Sequence, residues 1–196
     1  RSSSRTGATT ARRDVRVSSP TSPDEIRERY ERVREEVGAA VTVVVATKYV
    51  SVAELAQVAE AGGEVIGEHR AQDLDAKHEI YGTTFTWHFI GHLQSRKAST
   101  VNDACVLCHS LDSESAARKL TIPALVEVNL SGEAAKSGIA PDELAALLEL
   151  YPNVRGLMPM PPWTDDPEKS RPDLAPPRAL AEKDSLRQLH RRASRS

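Results

Sequence analysis

From about residue 22 the chain alternates between two kinds of apolar pattern. Ile26, Tyr30, Val33 and Val37 recur at helical spacing through a charged segment that opens at Ser22-Pro-Asp-Glu25 and stops at Gly38, which predicts an amphipathic helix. Val41-Thr-Val-Val-Val-Ala-Thr47 follows, a β-branched run of the kind covered on both faces in parallel sheets. Residues 51–61 read as an Ala-rich helix, capped by Ser51 with Glu54 three residues on and stopped by Gly62-Gly63. Strand signals then fall at 64–66, 86–90, 105–109, 124–129 and 154–158. Helical signals lie between them at 71–78, from Gln94, at 113–120 and at 141–150. About six strand–helix repeats with short links predict a parallel sheet. With no strong dinucleotide fingerprint among them, they favour a (β/α) barrel over an open sheet.

Three regions follow from this pattern. Residues 1–22 are Ser, Thr, Arg and Pro without apolar periodicity and read as a disordered tail. Residues 23–172 form the α/β barrel portion, and 173–196 read as a helix-like remnant with a basic tail. At 196 residues the chain accommodates one main domain with a real core.

Composition narrows the function classes. The formal charge of -2 excludes a global basic field, although Arg1, Arg5, Arg12, Arg13 and Arg16 and, at the other end, Arg187, Arg191, Arg192 and Arg195 make both termini basic. With 4% aromatic residues and no recognised motif, the chain is not read as a nucleic-acid binder. No apolar stretch approaches the ~20 residues of a membrane span, so a soluble, cytoplasmic protein without membrane contact is expected. Cys105 and Cys108 share a C-x-x-C spacing, but no second pair follows and the segment reads as a strand. They are read as structural thiols of a reducing compartment.

In a barrel, chemistry sits at the carboxyl ends of the strands. The residues found there are Lys48, Glu68-His69-Arg70, Gly91-His92, His109-Ser110, Asn129 and Met158. Lys48 closes the most apolar run. It is either a lysine reaching out to water or a partly desolvated amine that stays nucleophilic, whose usual product with a carbonyl is a Schiff base. Trp87 and His88 are read as barrel-wall packing, Gly132 and Gly138 as turn residues, and Lys136 as a solvated charge.

The segments Ala46-Thr-Lys48, Gly67-Glu-His-Arg-Ala-Gln72, Trp87-His-Phe-Ile-Gly-His-Leu-Gln-Ser-Arg-Lys97, His109-Ser-Leu-Asp112, Val128-Asn-Leu-Ser-Gly-Glu133, Lys136-Ser-Gly138 and Gly156-Leu-Met158 resemble, in order and spacing, the successive motifs of the pyridoxal phosphate homeostasis proteins. The resemblance implies an incomplete (β/α)8 TIM barrel similar to that of alanine racemase, with about six strands and the last two missing or degraded. It implies that pyridoxal 5′-phosphate (PLP) is held as a Schiff base on Lys48, with His69, Asn129 and Met158 in the cofactor-binding pocket. It also implies a carrier in vitamin B6 homeostasis with no turnover of its own, PLP-dependent apoenzymes as partners, and a monomer or weak homodimer. The alternatives are a fragment of a PLP-dependent racemase or decarboxylase barrel, or a non-functional truncated relic.

Three departures from the family pattern stand out. Gly67-Glu68-His69 replaces a Gly-Glu-Asn motif, so a titratable ring stands where relatives carry an amide. The link between Leu120 and Pro123 is shortened, which predicts strain in the crossover. The motifs expected after strands seven and eight are absent from the segment 173–196. Loops at those positions commonly grip the phosphate in such barrels, so the chain is expected to keep the covalent anchor without the phosphate cradle.

Overall fold

The computed structural model describes residues 22–131 and 137–160, together with the backbone of Gln188–Leu189. Helix α1 (Pro23–Val37) begins where the sequence signals it: Ser22 accepts from the Glu25 amide while the Glu25 carboxylate accepts from the Ser22 amide. Gly38, at φ 80°, ends it. Six parallel strands then follow in sequence order, the first five each succeeded by helical structure. They are β1 (Val45–Ala46), β2 (Val65–Glu68), β3 (Thr86–Phe89), β4 (Leu107–Leu111), β5 (Ala124–Asn129) and β6 (Val154–Met160). The helices after the first five are α2 (Leu55–Glu60), α3 (Ala71–Tyr81), α4 (Ala98–Ala104), α5 (Glu114–Ala117) and α6 (Leu144–Leu150).

Sequential order without reversal is barrel topology, and among the described residues the sheet stays open. A seventh strand, β7 (Gln188–Leu189), pairs in parallel with β6 through Gly156 and Leu157, and no pairing joins it to β1. Here two residues are strand in the segment that reads as helix-like. The outer edge of β6 thus accepts extended backbone at Gly156 and Leu157. The rest of 173–196, and the tail 1–21, lie outside the described residues.

β1 is shorter than its apolar run. Only Val45 and Ala46 pair, with Ile66 and Gly67, and Val41 is half exposed. A run read as covered on both faces stands at the sheet edge, so its ladder forms on one side only. The shortened crossover after β4 is closed by a four-residue helix, and the β4–β5 register shifts between Cys108 and Leu111.

Alternation assigns the two faces of the sheet. Ile66, Trp87, Phe89, Cys108, Val126, Val128 and Leu157 join helix residues such as Leu55, Leu74, Val101 and Leu144 in one apolar core. The opposite face carries Val44, Gly67, His88, His109, Leu125, Glu127 and Met158; a Cβ on Gly67 would meet Ile90 and Val44 side chains at 2.9–3.1 Å. Trp87 is buried wall packing as expected, its indole N–H donating to the Gly82 carbonyl at 2.7 Å. Cys105 and Cys108 are both free and buried in the core; Cys105 caps α4 rather than opening the strand.

Candidate functional site

Lys48 sits one residue beyond the last β1–β2 hydrogen bond, Thr47 N–H to the Gly67 carbonyl at 3.0 Å. A reverse turn follows at once, with the Val50 amide bonded to the Thr47 carbonyl at 3.0 Å. The lysine is half-buried, and its Nζ lies over the ring of Tyr49, 4.8 Å from the centroid. It forms no ion pair or hydrogen bond among the described residues. Beside it is a hollow of about 250 Å³ lined by Tyr49, the 50–52 turn and, from α3, Asp73, Ala76 and Lys77.

The strand end that carries Lys48 is fixed from behind by a buried polar network. Lys77, on the sheet-facing side of α3, donates to the Thr47 carbonyl at 2.8 Å and pairs with Glu68 Oε1. Thr47 Oγ1 donates to the same carboxylate oxygen at 2.5 Å. All three residues are buried. A carboxylate and an ammonium with so little water survive only as partners with further hydrogen bonds, which Thr47 provides on both sides. Sequence reading missed Lys77. The signal was present: Ala71, Leu74 and Lys77 form the buried stripe of α3, so a charge occupies a core position.

Of the other expected site residues, His69 directly follows β2 and stands abreast of Lys48 if the β1–β2 register is continued by two residues. Its Nδ1 is buried with no hydrogen-bond partner. Asn129 ends β5; its Oδ1 accepts from the amide of Ser131 at 3.0 Å and from its hydroxyl at 2.8 Å. Met158 is buried on β6, in register with Glu127, while Asn129 is in register with Met160. Asn129 and Met158 thus share one face of neighbouring strands. Neither they nor His69 line the hollow beside Lys48.

That same face holds polar groups with unforeseen partners. His109 Nε2 and His88 Nδ1 are 2.8 Å apart, so His88 is more than wall packing. Glu127, also buried, accepts from the Ser137 hydroxyl. Gly138, at φ 103°, is held against β5, where a Cβ would come within 2.8 Å of the Asn129 nitrogen; its turn role stands. Gly132 and Lys136 lie outside the described residues.

No protein-family model matches the chain. Among curated proteins it is 38% identical over 126 residues to the pyridoxal phosphate homeostasis protein of Aquifex aeolicus, an overlap of 57% of this chain and 55% of that protein. To the protein of the same name from Pseudomonas aeruginosa it is 34% identical over 151 residues, 66% of each. The chain therefore spans little more than half the length of the first of these relatives. Among solved structures it is similar to PipY of Synechococcus elongatus without PLP, with TM-score 0.72 and 27% identity over 84% of this chain and 87% of that one. PipY solved with PLP bound gives 0.71 and 26% over the same shares. Alanine racemase from Corynebacterium glutamicum aligns with TM-score 0.65 at 12% identity, over 87% of this chain and 53% of that enzyme, a likeness of fold alone.

Proposed function

This chain is a relative of the pyridoxal phosphate homeostasis proteins, and from that premise we propose that it binds PLP through Lys48 and serves intracellular PLP homeostasis. The observation that carries the reading is the contrast between two lysines 29 positions apart in sequence but on one hollow. Lys77 is spent on Glu68 and Thr47, whereas Lys48 is a half-buried amine without an ionic partner among the described residues. A primary amine so placed suits an aldehyde-bearing cofactor. Bound PLP supplies an aldehyde that such an amine captures reversibly, and a ring able to withdraw electrons.

In this reading Lys48 is the anchor and Thr47, Glu68 and Lys77 position it. His69 borders the cofactor beside β1, and Asn129 and Met158 supply a polar and an apolar wall. The role is carriage and buffering rather than turnover, in line with relatives named for homeostasis and not for a reaction. Recipients would be PLP-dependent apoenzymes, the compartment the cytoplasm and the assembly a monomer or weak homodimer. No helix among the described residues is long and apolar enough to cross a membrane.

Titrating the purified chain with PLP tests the proposal. A new absorption band near the visible edge is expected in the wild type and not in Lys48→Ala; equal spectra would refute Lys48 as the anchor.

A further inference from the structure

The carboxyl end of β2 gathers polar atoms that the cofactor reading does not use. Glu68 is fully buried and engaged through one oxygen only: Oε1 receives Lys77 and Thr47, whereas Oε2 is buried without a hydrogen-bond partner. His69 Nδ1, next in sequence, is buried and equally unpartnered. Asp73, in the first turn of α3, brings a carboxylate to the same place, and the donor atoms of Glu68, His69 and Asp73 lie within 4.8 Å of one another. No hydrogen bond joins them. A buried carboxylate oxygen left without a hydrogen bond is costly even when its twin oxygen meets a cation. Two residues with a buried, unpartnered donor atom, and a second carboxylate within 4.8 Å, are spaced as a set of ligands.

We propose that Glu68, His69 and Asp73 bind a divalent transition-metal ion of the Zn²⁺ type. One imidazole nitrogen and two carboxylate oxygens are donors this ion takes at about 2.0–2.2 Å, and three protein ligands leave its fourth position open to water. Ca²⁺ or Mg²⁺ fits less well, because both favour six or more oxygen donors. Bringing the donors onto one ion takes a small inward movement, for which the part-exposed His69 and Asp73 have room. Lys77 and Thr47 engage Oε1 and leave Oε2 without a hydrogen bond, the division of labour that outer hydrogen bonds give metal ligands. Lys48 is not a ligand. The ion site and the cofactor anchor are therefore separable, although Asp73 also lines the hollow beside Lys48.

The full chain, free of any tag and stripped with a chelator, is titrated calorimetrically with Zn²⁺. The expected result is one ion per chain, with affinity at least about tenfold weaker in His69→Asn and in Asp73→Asn and unchanged in Lys48→Ala. Zn²⁺ should also shift the ring resonances of His69 in the unmutated chain, a readout that needs no variant. Absence of binding, or binding that both variants retain while the His69 ring stays unmoved, overturns the proposal.

Discussion

Lys77 donates to the main-chain oxygen of Thr47 at 2.8 Å, and Thr47 is the residue immediately before Lys48. A buried cation from α3 thus holds the backbone from which the candidate anchor projects, while its charge is met by Glu68 at the end of β2. Lys48 is thereby fixed from behind and left part-exposed in front. Substrate-facing lysines need that combination, since an amine captures an aldehyde only if it is both accessible and steadily placed.

Lys77→Met leaves the Glu68 carboxylate buried without its cation. A loss of about 3–5 kcal/mol is expected, a large part of a single domain's stability. Urea denaturation measures it, and adding Glu68→Leu should recover most of the loss. A cost for Lys77→Met below about 1 kcal/mol would show the network to be incidental.

Gly91→Ala tests how closely β2 and β3 approach at the rim. A Cβ there would stand 2.0 Å from the His69 carbonyl oxygen and 2.5 Å from its Cα, contacts with backbone that no rotamer relieves. The variant is expected to unfold at markedly lower denaturant, or to fold with His69 displaced, seen as altered chemical shifts for residues 68–70. A melt and spectrum identical to wild type would contradict this packing.

The two thiols make stability pH-dependent. Burial pushes the Cys105 thiol from its ordinary 9.0 up to about 12, with the neighbouring Cys108 adding to the rise, and burial takes Cys108 up to about 11. Above pH ~9 the unfolded chain loses these protons while the folded chain keeps them, so the unfolded state binds fewer and stability falls as pH rises toward 11–12. Urea midpoints across this range should fall more steeply in wild type than in a Cys105→Ala/Cys108→Ala variant. Native protein at pH 8 should also react slowly with alkylating reagents.

The strand–helix order was legible because burial on the sheet writes itself locally: β5 spans 124–129 as its apolar run predicts, and α1 starts and stops at its caps. Two things were not local. The length of β1 depends on a neighbouring strand that no part of Val41–Thr47 encodes, so half the run lies outside the ladder. The Thr47–Glu68–Lys77 network joins a strand end, the next strand and a helix face, and only the odd lysine in the stripe of α3 hinted at it. Lys48 was legible as a strand-end lysine. Its lean onto Tyr49 was not, because the turn at Val50 sets it.

The most direct measurement of the central claim is to load the chain with PLP, reduce with borohydride, digest and map the modified residue by mass spectrometry. A pyridoxyl phosphate increment on the peptide carrying Lys48, and its loss in Lys48→Ala, is the predicted result. An increment spread over other lysines, or concentrated on one of them while Lys48 stays unmodified, would contradict it.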